Sequence, residues 1–98
     1  MRVRYLDPAR AELLEAVEYY ERQNATLGGE LLLELEHVIS MLRHSPELGA
    51  KLDARVRRVL LRRFPYRVVY TVEGEELVVV AFAHLRRRPD YWTDRLES

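Results

Sequence analysis

The apolar pattern changes from helical to strand period near Pro46, and that switch restricts the fold more than any other feature. Before it, Ala9, Leu13, Ala16, Val17 and Tyr20 recur at helical spacing, with Glu12, Glu15, Glu18 and Glu21 mostly on the opposite side. The spacing predicts an amphipathic helix from about Pro8 to Asn24. A short strand at Val3–Tyr5 precedes it, with Asp7 as N-cap and Pro8 at the first helical position. Thr26-Leu27-Gly28-Gly29 should break the helix, and Leu31, Leu35, Val38, Ile39 and Leu42 mark a second one ending near His44-Ser45-Pro46. A short connection makes the two helices antiparallel neighbours.

After Pro46, three runs rich in β-branched and aromatic residues follow: Val56–Phe64, Tyr66–Val72 and Glu76–His84. Glu73-Gly74-Glu75 reads as a tight hairpin turn, which makes the second and third strands antiparallel and places Tyr66, Val68, Tyr70 and Val72 on one face. Leu77–Phe82 is apolar on both faces and belongs in the interior of the sheet. Arg88-Pro89-Asp90 leads into a terminal helix or turn through Tyr91, Trp92 and Leu96. The expected order is β-α-α-β-β-β plus a C-terminal tail: an α+β fold with an N-terminal strand and a helical hairpin packed on an antiparallel sheet.

At 98 residues and 48% hydrophobic content, the chain encloses one core, so a single domain over residues 1–98 is expected. It contains no cysteine, which excludes disulfides and thiolate metal sites and favours a reducing compartment. Neither a leader pattern nor a membrane-length apolar run is visible, so a soluble, cytoplasmic protein with no membrane association is expected. Formal net charge is zero but unevenly spread, with five basic and nine acidic residues in 1–50 against eleven and seven in 51–98. From Lys51 to Tyr70 there are seven basic side chains and only Asp53 against them. Two readings stand: a local basic face for a polyanion, or a solvated strand edge carrying arginine.

His37, His44 and His84 fall on different elements and form no ligand pair, and no cofactor or phosphate-binding motif is present, so neither metal nor cofactor is expected. The remaining chemistry lies in Arg55, Arg57, Arg58, Arg62, Arg63 and Arg67 on two successive strands, and in Arg86, Arg87 and Arg88 just beyond them. With Tyr91 and Trp92 nearby, these could meet phosphates and stack bases of single-stranded nucleic acid, against the plainer reading, favoured for Trp92, that the two rings cap the core. Metal-free RNA cleavage also requires proton transfer. His84 and Tyr91 are the candidates, against the plainer reading of His84 as a hydrogen-bonded group closing a strand.

The run Val56-Arg57-Arg58-Val59-Leu60-Leu61-Arg62-Arg63-Phe64-Pro65-Tyr66-Arg67, followed by His84-Leu85-Arg86-Arg87-Arg88-Pro89-Asp90-Tyr91-Trp92, resembles the RelE/ParE toxin superfamily. The Tyr19-Tyr20-Glu21 helix, the Leu27-Gly28 turn and the Ser45-Pro46-Glu47-Leu48-Gly49 exit extend the resemblance over nearly the whole chain. It implies a toxin held in a hetero-oligomer by a cognate antitoxin protein. RelE-like members cleave mRNA on the ribosome, and ParE-like members poison DNA gyrase. By resemblance, a nuclease of this type would use Arg58, Arg67, Arg86 and Tyr91, with His84 as a further proton carrier. Arg57, Arg62, Arg63, Arg87 and Arg88 would contact nucleic acid or target. Leu60 stands at a position that is basic in such nucleases, and Leu85 or Arg86 at another, so the catalytic set is incomplete. The resemblance therefore favours a ParE-like toxin that acts by binding. A RelE-like endoribonuclease and a non-toxic antitoxin-binding module are the alternatives.

Overall fold

The structure, a computed structural model, describes residues 1–96. Strand β1 (Arg2–Tyr5) passes directly into helix α1 (Asp7–Gln23). The N-cap position falls on Leu6, which is extended at φ −65° and ψ 149°, so Asp7 lies inside the first turn and makes no cap bond. Its charge still suits the positive end of the helix. The break between helices also differs from expectation. It falls at Asn24, whose Oδ1 accepts the Thr26 N–H at 3.0 Å, and both glycines belong to helix α2 (Leu27–His44). Gly28 is there for space: a Cβ would collide with Glu21 Cγ and sit 3.2 Å from Val17 Cγ1 on α1. Leu31, Leu35, Val38, Ile39 and Leu42 form the buried stripe of α2, as the spacing predicted.

Five strands form one sheet in the order β1-β5-β4-β3-β2, where β2 is Ala50–Lys51, β3 Val56–Leu60, β4 Tyr66–Glu73 and β5 Glu76–His84. The α+β fold with its helical hairpin is as expected. The pairings of β2 through β5 are antiparallel, whereas β1 lies parallel to β5, so the sheet is mixed. Strand β3 ends at Leu60 rather than Phe64, because Leu61 and Phe64 both turn into the helix-side core and no two-residue alternation can bury both. The β4–β5 hairpin is closed by two residues, Gly74 at φ 60° and Glu75, the arrangement that a right-twisted hairpin favours.

Strand β5 contains an irregularity that decides which side chains face which core. Val69 pairs with Ala81 but Tyr70 pairs with Val79, leaving Val80 as an extra residue. Leu77, Val79 and Phe82 therefore pack against the helices, while the consecutive Val80 and Ala81, with Ala83, face the other side. Together with Val56 and Val69 they form a second apolar cluster, which Trp92 covers at 4% exposure. The chain after β5 thus folds back over the outer face of the sheet, and the described residues close with a short 3-10 helix at Thr93–Leu96.

Candidate functional site

Strand β1 is four residues long and β5 nine, so part of the β5 edge has no strand beside it. The last bond on that side is Leu6 N–H to Val79 O, at 3.0 Å. Beyond it two side chains complete the edge: Glu12 Oε1 accepts the Phe82 N–H at 3.1 Å, and Arg95 Nη1 donates to Val80 O at 3.1 Å. Arg95 also grips Glu12 with both terminal nitrogens, at 2.8 and 2.9 Å, and the Tyr91 hydroxyl donates to Glu12 Oε2 at 2.7 Å. Arg87 stacks on the Tyr91 ring at 3.9 Å, with Arg95 at 5.0 Å. One carboxylate on α1 thereby ties together the β5 edge and the C-terminal segment.

Burial alone would raise the Glu12 carboxyl, but hydrogen bonds from Arg95, Tyr91 and the Phe82 N–H, with the Arg95 charge, outweigh it and hold the group low. Tyr91 moves the other way. Burial, then the bond to Glu12 and its negative charge, push the phenol up to about 12. An unfolded phenol titrates near ~10. The stabilisation from neutral Tyr91 is therefore complete below that pH and is lost as pH rises through the folded value of about 12. Glu12 behaves oppositely: its contribution is present above the ordinary value of 4.5 and is lost as pH falls through the lower folded value. Subtracting the phenolate absorbance of Tyr91→Phe from that of the native chain should leave one group titrating near 12. A difference curve centred on the ordinary tyrosine value would contradict the geometry.

Beside this hub runs an open cleft of about 760 Å³ between α1 and the end of the sheet, lined by Glu15, Tyr19, Tyr66, His84, Arg86 and Tyr91 among others. Tyr66 stacks on Phe82 at 4.6 Å and meets the His84 ring edge-on at 5.1 Å. His84 Nδ1 accepts the Arg86 N–H at 3.0 Å, so a neutral ring carries its proton on Nε2.

The arginines do not gather on one patch. Arg58 opposes Val69, and Arg67 opposes Ala83, so these two share the outer face of the sheet with the Trp92 cluster. Arg57 points to the helix side, donating to Glu47 O at 2.9 Å and Gly49 O at 2.7 Å, and anchors the segment before β2. Arg62 and Arg63 lie in the bend after β3, not on a strand. Both backbone N–H groups bond Glu34, and the Arg63 side chain pairs with Glu30 on α2. Arg86 is exposed at the cleft, Arg87 is committed to Tyr91, and Arg88 is exposed on the following turn. Of the nuclease candidates, His84, Arg86 and Tyr91 line the cleft, while Arg58 and Arg67 lie on the outer face.

Glu12 and Arg95 were missed in the sequence. The one available signal was the length mismatch between a short first strand and a long apolar last one, which leaves backbone groups to be satisfied from elsewhere. No group of His, Asp or Glu residues suited to a metal ion occurs among the described residues, and no helix there is long and apolar enough to cross a membrane.

The helical hairpin thus lies on one face of the sheet, with Arg58, Arg67 and the aromatic C-terminal segment on the other. The sequence matches, over residues 3–89, the family described as ParE toxin of type II toxin-antitoxin system, parDE, and the chain belongs to that family. No curated protein matches it. Among solved structures, it is similar to a chain of the one titled "Chromosomal ParDE TA system from P. aeruginosa". The TM-score is 0.72 at 18% identity, over 86% of this chain and 95% of that chain. At that identity the likeness speaks for the fold.

Proposed function

We propose that this toxin acts by binding its target, DNA gyrase, rather than by cleaving RNA, and that a cognate antitoxin neutralises it in a hetero-oligomer. The observation that carries this reading is the state of Tyr91. With the C-terminal segment closed on Glu12, its hydroxyl is already donated and its phenol is held neutral up to about 12, so it is poorly placed to take a proton from a ribose hydroxyl. Leu60 and Leu85, 47% and 42% exposed, add to this: two leucines present apolar surface where a phosphate-binding site calls for cations. Exposed leucines beside half-buried arginines suit a protein partner.

The antitoxin is expected to use apolar surface that the chain leaves open. A groove between β1 and α2, lined by Val3, Tyr5, Leu13, Leu32 and Ile39 with Arg10 and Arg43 at its rim, supports such a role. Purified toxin should inhibit supercoiling by gyrase and stabilise gyrase-cleaved DNA, and induced expression should arrest growth until the antitoxin is supplied. The runner-up, a ribosome-dependent endoribonuclease, draws on Arg58 and Arg67 sharing one sheet face. New cleavage of mRNA on translating ribosomes, with supercoiling untouched, would favour that reading over gyrase binding.

A further inference from the structure

We propose that residues 87–96 form an opening strap, held shut by Glu12, whose release uncovers Arg67 and the apolar outer face of the sheet. The first observation is how little backbone holds the segment. The bonds Arg87 N–H to His84 O, Tyr91 N–H to Arg88 O, Thr93 N–H to Asp90 O and Arg95 N–H to Trp92 O all close local turns. The last ladder-like bond to the sheet is Leu85 N–H to Pro65 O, at 2.9 Å. Beyond that point the segment is attached by side chains: Trp92 over Val56, Val69, Val80, Ala81 and Ala83, Tyr91 and Arg95 on Glu12, and Arg95 on Val80 O. Trp92 turns its own indole N–H inward, to Pro89 O of the same segment at 2.7 Å, so its contact with the sheet is apolar.

The second observation lies beneath the strap. Arg67 Nε is buried with no hydrogen-bond partner among the described residues, and its Nη2 reaches only Arg87 O, at 3.4 Å. Closing the strap takes water from Nε without supplying an acceptor, so the closed state carries a penalty that opening relieves. Three donors from the strap, the Tyr91 hydroxyl and both terminal nitrogens of Arg95, converge on Glu12 and oppose that penalty. Glu12 touches no target in this scheme; it is a positioning residue, and the strap's closed state depends on it.

Trp92 is the sole tryptophan, so its fluorescence reports the strap alone. In the full chain, Glu12→Ala and Arg95→Met should each raise acrylamide quenching of Trp92 several-fold while far-UV circular dichroism is unchanged. In Arg95→Met, which keeps the Glu12 carboxylate, exchange of the Phe82 amide should speed up about tenfold or more, with the Val68 and Leu77 amides unmoved. The Tyr91 phenol should titrate lower than about 12 in the same variant, a change that lost packing elsewhere would not cause. Folded variants with Trp92 still shielded would overturn the proposal. Loss of the whole fold in Arg95→Met would also overturn it, by showing that strap and core melt as one unit. Should Glu12→Ala alone fail to fold, Arg95→Met decides.

Discussion

Phe82→Ala is expected to destabilise the fold by about 3–5 kcal/mol, through lost burial and the cavity left behind. The ring is 1% exposed, and it stacks on Tyr66 at 4.6 Å with an interplanar angle of 12°. The site has little means of collapsing, because Phe82 is fixed on both sides of its backbone: it pairs with Val68 on β4, and its N–H is held by Glu12. A domain of this size has a total stability of roughly 5–15 kcal/mol, so the loss would remove a large share of it. Val72, 40% exposed on β4, offers a control whose truncation should change little. The measurement is the urea midpoint at unchanged slope. A loss as small as that of Val72→Ala would mean that Phe82 does not face the helices, and the irregularity at Val80 would have to be placed elsewhere.

That irregularity also shows where the sequence stopped being informative. The helices were legible because Leu31, Leu35, Val38 and Leu42 repeat at one spacing, and a helix has only one face to bury. In Leu77–Ala83 every residue is apolar, and both faces of β5 are covered, so nothing in composition says where parity changes. The same limit applies to β1. Val3 and Tyr5 announce a strand, but which strand lies beside them, and in which direction, depends on the path of α1 across the sheet.

The candidate site was legible in parts. Tyr91 and the arginines were visible as residue types, but their roles were set by contacts distant in sequence. Glu12 and Arg95 are 83 positions apart, and no local motif connects them. Arg57, Arg58 and Arg67 looked equivalent as a basic run; strand alternation sends Arg57 to the helix side and the other two to the outer face. Arg62 and Arg63 were assigned to the strand because a period-two reading cannot anticipate that Leu61 and Phe64 will both enter the core.

The way β3 presents Arg58 depends in turn on a residue that carries no chemistry. Gly49→Ala is expected to cost about 2–3 kcal/mol, by overpacking rather than by backbone strain. Gly49 sits at φ −70°, which any residue adopts, but a Cβ there would lie 2.5 Å from the Tyr70 hydroxyl and 2.9 Å from Arg58 O. Tyr70 cannot easily withdraw. Its hydroxyl accepts the Gly49 N–H at 2.9 Å and donates to Pro46 O, and its ring is 1% exposed. Tyr70→Phe should cost about 1–3 kcal/mol by leaving those two backbone groups unpaired. The double variant should lose less than the sum, since removing the hydroxyl removes the tightest of three collisions and leaves those with the ring carbon Cε1, at 2.8 Å, and with Arg58 O. It should still fall well below Tyr70→Phe alone, because the Arg58 carbonyl belongs to a paired strand and moves only if β3 moves with it. That shift would also pull on Arg57, whose guanidinium holds Glu47 O and Gly49 O, and would displace Arg58 on the outer face. A double-mutant cycle in urea measures the coupling, and additive losses would mean that Gly49 and Tyr70 do not meet as this geometry requires.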